Sequence, residues 1–274
     1  MKKERFVIIF FMKKFYPLFL SLCLANVLLA QTNEPAPASV PSTPASVAAP
    51  AVTSKPLAIS GWAVIGDKAK AFGPKEEGGK IIFSGADFGK KGRSFAGYFG
   101  KTILADGQTL SFKSDIQFSG VATVGAFRYG IFQKRSPDHT RGWLGYCFYA
   151  GFRPDMPKGN LLARLADNNG SFDGLKDDKG ADTARSLGEV ISGPKSIKDG
   201  FYTLTIDVKK VGVNMEVKSM LVSELDPTVP AVSYSGIDNQ PATPSFDALG
   251  FVTHEVLSVD SVELSNVSLN LVGP

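Results

Sequence analysis

From Ile59 onward hydrophobic and polar residues alternate with a period of two, and helical periodicity is scarce. Thr109 to Phe118 sets Leu110, Phe112, Ile116 and Phe118 on one face, with Lys113, Asp115 and Gln117 on the other. Phe201 to Val208 sets Tyr202, Leu204, Ile206 and Val208 against Thr203, Thr205 and Asp207. Val213 to Leu221 sets Val213, Met215, Val217 and Leu221 against Asn214, Glu216 and Lys218. Lys209-Lys210-Val211-Gly212 is a short turn between the last two, which predicts a hairpin.

Two further segments, Ala122 to Gln133 and Trp143 to Phe152, are apolar on both faces and punctuated by glycine. They read as central strands with a bulge or a close backbone approach. Ile81 to Ser84, Phe95 to Leu104, Leu161 to Ala166, Ala231 to Gly236, Phe246 to Thr253 and Val259 to Val272 are the remaining strand candidates. In the last, alternation slips at Ser265-Asn266, which predicts a bulge. Many strands with turn signals between them and no long helix predict an all-β, two-sheet antiparallel sandwich of the jelly-roll type. No internal repeat is evident, which argues against a propeller or solenoid.

Composition supports this reading. The 28 glycines suit tight turns, and the 20 phenylalanines suit a space between two sheets. The net charge of +4 is concentrated at the front: six of 30 basic and two of 26 acidic residues precede Leu57. The remainder is close to neutral, so it carries no basic footprint for nucleic acid.

That front is organised differently. Lys13-Lys14, the apolar run Phe15 to Ala30 and then Gln31 read as a signal peptide spanning residues 1–30, with Met12 as an alternative start. An uncleaved leader would be the one route to a membrane. Leu22 before Cys23 is too large for a lipoprotein signal. Residues 31–56 are mostly Pro, Ala, Ser, Thr and Val, with prolines at 35, 37, 41, 44, 50 and 56, and read as an extended spacer. The domain is then residues 57–274, and the expected location is outside the cytoplasm, secreted or in the cell envelope. Cys147, between Tyr146 and Phe148, reads as a buried small hydrophobe.

The order Gly107-Gln-Thr-Leu-Ser-Phe112, Phe127-Arg-Tyr-Gly-Ile-Phe132, Phe201-Tyr-Thr-Leu-Thr-Ile206, Phe246-Asp-Ala-Leu-Gly-Phe251 and Val262-Glu-Leu-Ser-Asn-Val267 resembles the concanavalin A-like lectin/glucanase superfamily, and specifically the laminin-G-type jelly rolls of exported bacterial proteins. The resemblance covers nearly all of residues 57–274. It implies a curved sheet whose concave outer face often binds sugar polymers. The partner expected on that basis is a polysaccharide or cell-surface glycan. On such a face Lys113, Asp115, Gln117 and Arg128 are the polar candidates, and Trp143 and Tyr149, which share strand parity, the aromatic ones; the opposite parity exposes Tyr146 and Phe148 instead.

Arg128 lies between Phe127 and Tyr129, where an unpaired charge is costly, so it should face solvent or pair, with Asp115 as the candidate partner. Catalytic patterns of the superfamily are missing. Neither Glu-x-Asp-x-x-Glu nor Glu-x-Asp-x-Glu occurs, and Glu255, Asp260 and Glu263 are spaced wrongly. The Gln-x-His of alginate-lyase-like jelly rolls is absent as well, and His139 and His254 are far apart. One metal candidate remains: Asp167, Asn169, Ser171, Asp173 and Asp178 follow the spacing of a calcium loop, with Phe172 in place of the usual Gly and Asp178 in place of Glu. Asn169-Gly170-Ser171 and Asn266-Val267-Ser268 match glycosylation sequons. No other cofactor is expected. A non-catalytic carbohydrate-binding module, a polysaccharide-active enzyme with an unfamiliar site, and a structural envelope protein without ligand all remain open.

Overall fold

Alternation by two is realised as strands in two antiparallel sheets. The computed structural model describes residues 52–65, 74–84, 93–121, 127–136, 141–150, 161–165, 184–187, 197–225, 230–253 and 259–273. These belong to one compact unit, Ala49–Pro274, and no helix occurs among them.

The first sheet runs β13 (Pro230–Asp238), β12 (Asn214–Ser223), β11 (Gly200–Val211), β6 (Thr109–Ser119), β15 (Ser261–Gly273), β4 (Lys80–Ser84) and β3 (Lys75–Glu77). A further strand, β1 (Thr53–Pro56), pairs with the end of β15. The second sheet runs β10 (Ala184–Ser186), β9 (Leu161–Leu165), β8 (Leu144–Ala150), β7 (Phe127–Gln133), β14 (Ser245–Thr253), β5 (Arg93–Ile103) and β2 (Ile59–Ile65).

The predicted faces hold. Leu110, Phe112, Ile116 and Phe118 of β6 and Tyr202, Leu204, Ile206 and Val208 of β11 are buried inward. The hairpin β11–β12 forms, but its turn is Gly212-Val213, one step later than the sequence suggests. Val213 is therefore 80% exposed in the turn and not a core residue. Gly212 has φ of 59°, a conformation glycine adopts without the strain a side chain brings. The predicted slip in β15 is a bulge between Ser265 and Ser268, with Asn266 at φ 48°. The last residues of the Pro-rich stretch, read as spacer, are β1.

Between the sheets phenylalanines stack. Phe95 lies 3.9 Å from Phe83 and 5.1 Å from Phe251 between ring centroids, and Phe118 meets Phe127 edge-on at 5.0 Å. Each such ring stabilises the sandwich by about 1.5–3 kcal/mol through burial. Polar ties cross the layers. Tyr129 of β7 shares a hydrogen bond with Ser219 of β12 (3.2 Å), and Ser219 Oγ also donates to the Thr205 carbonyl (2.7 Å). Tyr146 of β8 donates to Asp238 Oδ2 of β13 (3.1 Å), and Asp238 Oδ1 accepts from the Gln240 amide (3.0 Å).

The strands expected to be apolar on both sides, β7 and β8, are buried on both. Their glycines mark close approach, as expected. A Cβ on Gly130 would sit 2.1 Å from the Tyr146 carbonyl oxygen.

Candidate functional site

The six sequence-predicted binding residues fall on two opposite surfaces. Lys113, Asp115 and Gln117 project from the outer face of the first sheet, because their neighbours Phe112, Ser114, Ile116 and Phe118 point inward. Arg128 projects from the outer face of the second sheet, because its neighbours Phe127 and Tyr129 point inward. Stacked sheets lie about 10 Å apart, so the expected Arg128–Asp115 pair does not form. Asp115 instead accepts from Thr203 Oγ1 (3.0 Å) and from Asn266 Nδ2 (2.7 Å). It ties the bulge of β15 to β6 and β11.

The Arg128 guanidinium lies over the Tyr149 ring, 4.5 Å from its centroid, and both residues are buried. Trp143, just before β8, shares that face as its parity suggests, but it is also fully buried. Its indole N–H donates to the Ser136 carbonyl at 3.0 Å. Its ring lies 5.8 Å from Phe132 and 6.4 Å from Tyr98. These residues form a second apolar cluster and not an open platform. At its edge Lys134 pairs with Asp247 (3.2 Å) and stands 5.2 Å from the Tyr98 ring centroid.

Burial also pushes the Tyr129 hydroxyl well above the ordinary phenol value. The Ser219 bond opposes the rise, and the Cys147 thiol adds to it. Cys147 itself is buried, as expected. The calcium-loop residues Asp167, Asn169, Ser171, Asp173 and Asp178 lie outside the described residues, as do His139, His254 and Glu255. Among the described residues no group of three or more His, Cys, Asp or Glu could hold a metal ion.

The outer face of the first sheet is open. A shallow groove of about 280 Å³ crosses it beside Ser111, Asp207, Lys209, Glu216 and Lys218. Asp207 stands opposite Lys218, and Lys209 opposite Glu216. Opposite charges in such register stabilise a sheet by about 0.2–1 kcal/mol per pair. Among the described residues the groove's lining includes no aromatic side chain.

A notch lies along one flank of the sandwich. β15 is 13 residues long, but β4 covers only Ser261 to Leu264, and β1 covers only Asn270 to Gly273. Between them no described strand pairs with β15 on that side. Leu57 and Ala58 carry the chain across this gap from the first sheet to the second, and the Leu57 amide donates to the Leu269 carbonyl (2.8 Å). β2 follows as the edge strand of the second sheet.

Trp62 of β2 points to the interior side, like Val64. Its ring centroid lies 6.4 Å from Phe83 and 6.1 Å from Phe251. The ring rests on Gly97 of β5, where a Cβ would come within 2.8 Å of its Cη2 and Cζ3. Trp62 is only half-buried. Two cavities meet at Ile59 and Trp62. One of about 380 Å³ runs toward Pro56, Ser268 and Asn270. The other, of about 340 Å³, runs toward Ser60, Glu76 and Lys80. Each is within the range of about 300–1,000 Å³ that holds small ligands.

Sequence reasoning passed over Trp62. The signal was present in Ile59-Ser-Gly-Trp-Ala-Val-Ile65, an apolar run containing one of only two tryptophans. Its proximity to Gly97 is a product of strand pairing and has no trace in local pattern.

No family model and no curated protein sequence matches the chain. Among solved structures it is similar to legume-type lectin folds. The carbohydrate recognition domain of Emp46p, in its metal-free form, aligns with TM-score 0.46 and 13% identity, over 77% of this chain and 88% of that one. Peanut lectin with a bound peptide aligns with TM-score 0.45 and 9% identity, over 81% and 97%. A legume lectin-like domain from Entamoeba histolytica aligns with TM-score 0.39 and 11% identity, over 77% and 88%.

Proposed function

We propose that this protein is exported and that its β-sandwich is a non-catalytic module binding carbohydrate in the notch around Trp62. The observation that carries the reading is a half-buried indole at the junction of two open cavities. Sugar rings present C–H faces that pack on aromatic rings, while their hydroxyls need hydrogen-bonding groups nearby. Ser60, Ser268 and Asn270 line the same two cavities and supply such groups. The basic-apolar leader and the Pro-rich stretch after it support export.

Titration of the purified protein with a panel of polysaccharide fragments, followed by calorimetry, tests the reading. Binding should fall at least tenfold in Trp62→Ala and be partly retained in Trp62→Phe, which keeps a ring against Phe83 and Phe251. Equal binding by wild type and Trp62→Ala would place the site elsewhere.

A further inference from the structure

We infer that the notch selects a sugar bearing a positively charged amine, an inference that rests on the carbohydrate reading above. β3 and β4 form a hairpin at the flank of the first sheet, and register decides where its charges point. Glu76 pairs with Ile81, which is buried against the core, so Glu76 shares the interior side of the sheet. Lys75 pairs with Ile82 and Glu77 with Lys80, which places those three charges on the outer side. Among the described residues β3 is the last strand of its sheet, and the interior side there opens on the cavity that Trp62 also lines. Trp62 and Glu76 thus face one space from the two sheets.

The other charges at this rim are occupied with each other. Lys75 bonds Glu77 and holds its carboxyl below the usual range by hydrogen bond and charge. Lys80 pairs with Glu263 at 2.7 Å. Glu76 is exposed and makes no ion pair among the described residues. Glu77 and Lys80 also line the cavity but are paired, so it offers a cation the Glu76 carboxylate and one indole, which attract an ammonium by charge and by the ring quadrupole respectively. A uronic acid would meet the same carboxylate with like charge.

The test uses the purified protein and matched oligomers of glucosamine, N-acetylglucosamine, glucose and a uronic acid, in weakly acidic buffer that keeps the amine charged. The glucosamine oligomer should bind about fivefold tighter than its acetylated counterpart, as for a partly exposed ion pair, and the uronic acid oligomer weakest. Glu76→Gln should level the glucosamine and acetylated oligomers while leaving the melting temperature unchanged. Equal wild-type binding of charged and acetylated oligomers, or a preference that survives Glu76→Gln, would overturn the inference while leaving the notch reading intact. Lysine amide carries the ammonium without the ring. Binding as tight as the amino sugar's would also overturn the inference. No binding of any oligomer would overturn the notch reading itself.

Discussion

Gly97→Ala tests whether the Trp62 ring is held where the notch needs it. The added methyl would lie 2.8 Å from Cη2 and Cζ3 and 3.0 Å from Cε3 of Trp62, well inside ordinary contact. The ring must move, and the open direction is into the cavity. Overpacking of this kind costs about 1–3 kcal/mol. Replacing glycine restricts the unfolded chain and returns about 0.4–1 kcal/mol. The net expectation is a loss of about 1–2 kcal/mol, measured by urea denaturation. Gly100→Ala on the same strand is the control, because a Cβ there meets nothing within 4 Å. It should gain about 0.4–1 kcal/mol. Fluorescence separates the ring from the global effect. Trp143 is fully buried, so acrylamide quenching and ligand-induced emission changes report chiefly on Trp62. Gly97→Ala should raise quenching and weaken oligosaccharide binding. If Gly97→Ala follows Gly100→Ala in stability and leaves emission unaltered, the packing argument fails.

Two further perturbations address the rest of the sandwich. Tyr129 is held neutral by burial, with its folded-state value above the 10.0 of an unperturbed phenol. Its contribution is therefore complete below about pH 10 and is lost as pH rises toward the folded value. Tyr129→Phe should flatten the fall in stability above about pH 10 in alkaline unfolding curves; an unchanged slope would remove Tyr129 as its cause. Asp115→Ala removes the hydrogen bonds to Thr203 of β11 and to Asn266 in the β15 bulge and should cost about 1–2 kcal/mol in chemical denaturation. Oligosaccharide binding should be unaltered, and loss of binding in a folded Asp115→Ala protein would move the site to the outer face of the first sheet.

Strand identity was legible where one face is wet. In β6 and β11 alternation places the apolar run inward and the polar run outward, with Ser114 inward and Phe201 and Val211 outward as exceptions, so period was enough to assign both. Sheet membership was not legible. Lys113 and Arg128 each follow the parity of their own strand, yet those strands belong to different layers, and parity carries no information about which layer a strand joins. That is why a site assembled from both dissolved into two surfaces. Trp143 and Tyr149 did share a face as their parity suggests, but exposure depends on what packs above a sheet, which alternation does not encode. The notch was invisible for a related reason. It exists because β4 and β1 together are shorter than the strand they flank, and unequal strand lengths leave no mark on hydrophobic pattern. β1 itself, Thr-Ser-Lys-Pro, is exposed at every position and so has no apolar face to read.

The antiparallel pairing of β1 with the end of β15 has a mechanical consequence. Thr53 is matched to Gly273 and Pro56 to Asn270, so a pull on the chain upstream of Thr53 loads the ladder from one end and opens it rung by rung. The rung that opens last borders Pro56 and Leu57, which wall the larger cavity. Tension along the incoming chain is thereby transmitted to the wall of that cavity.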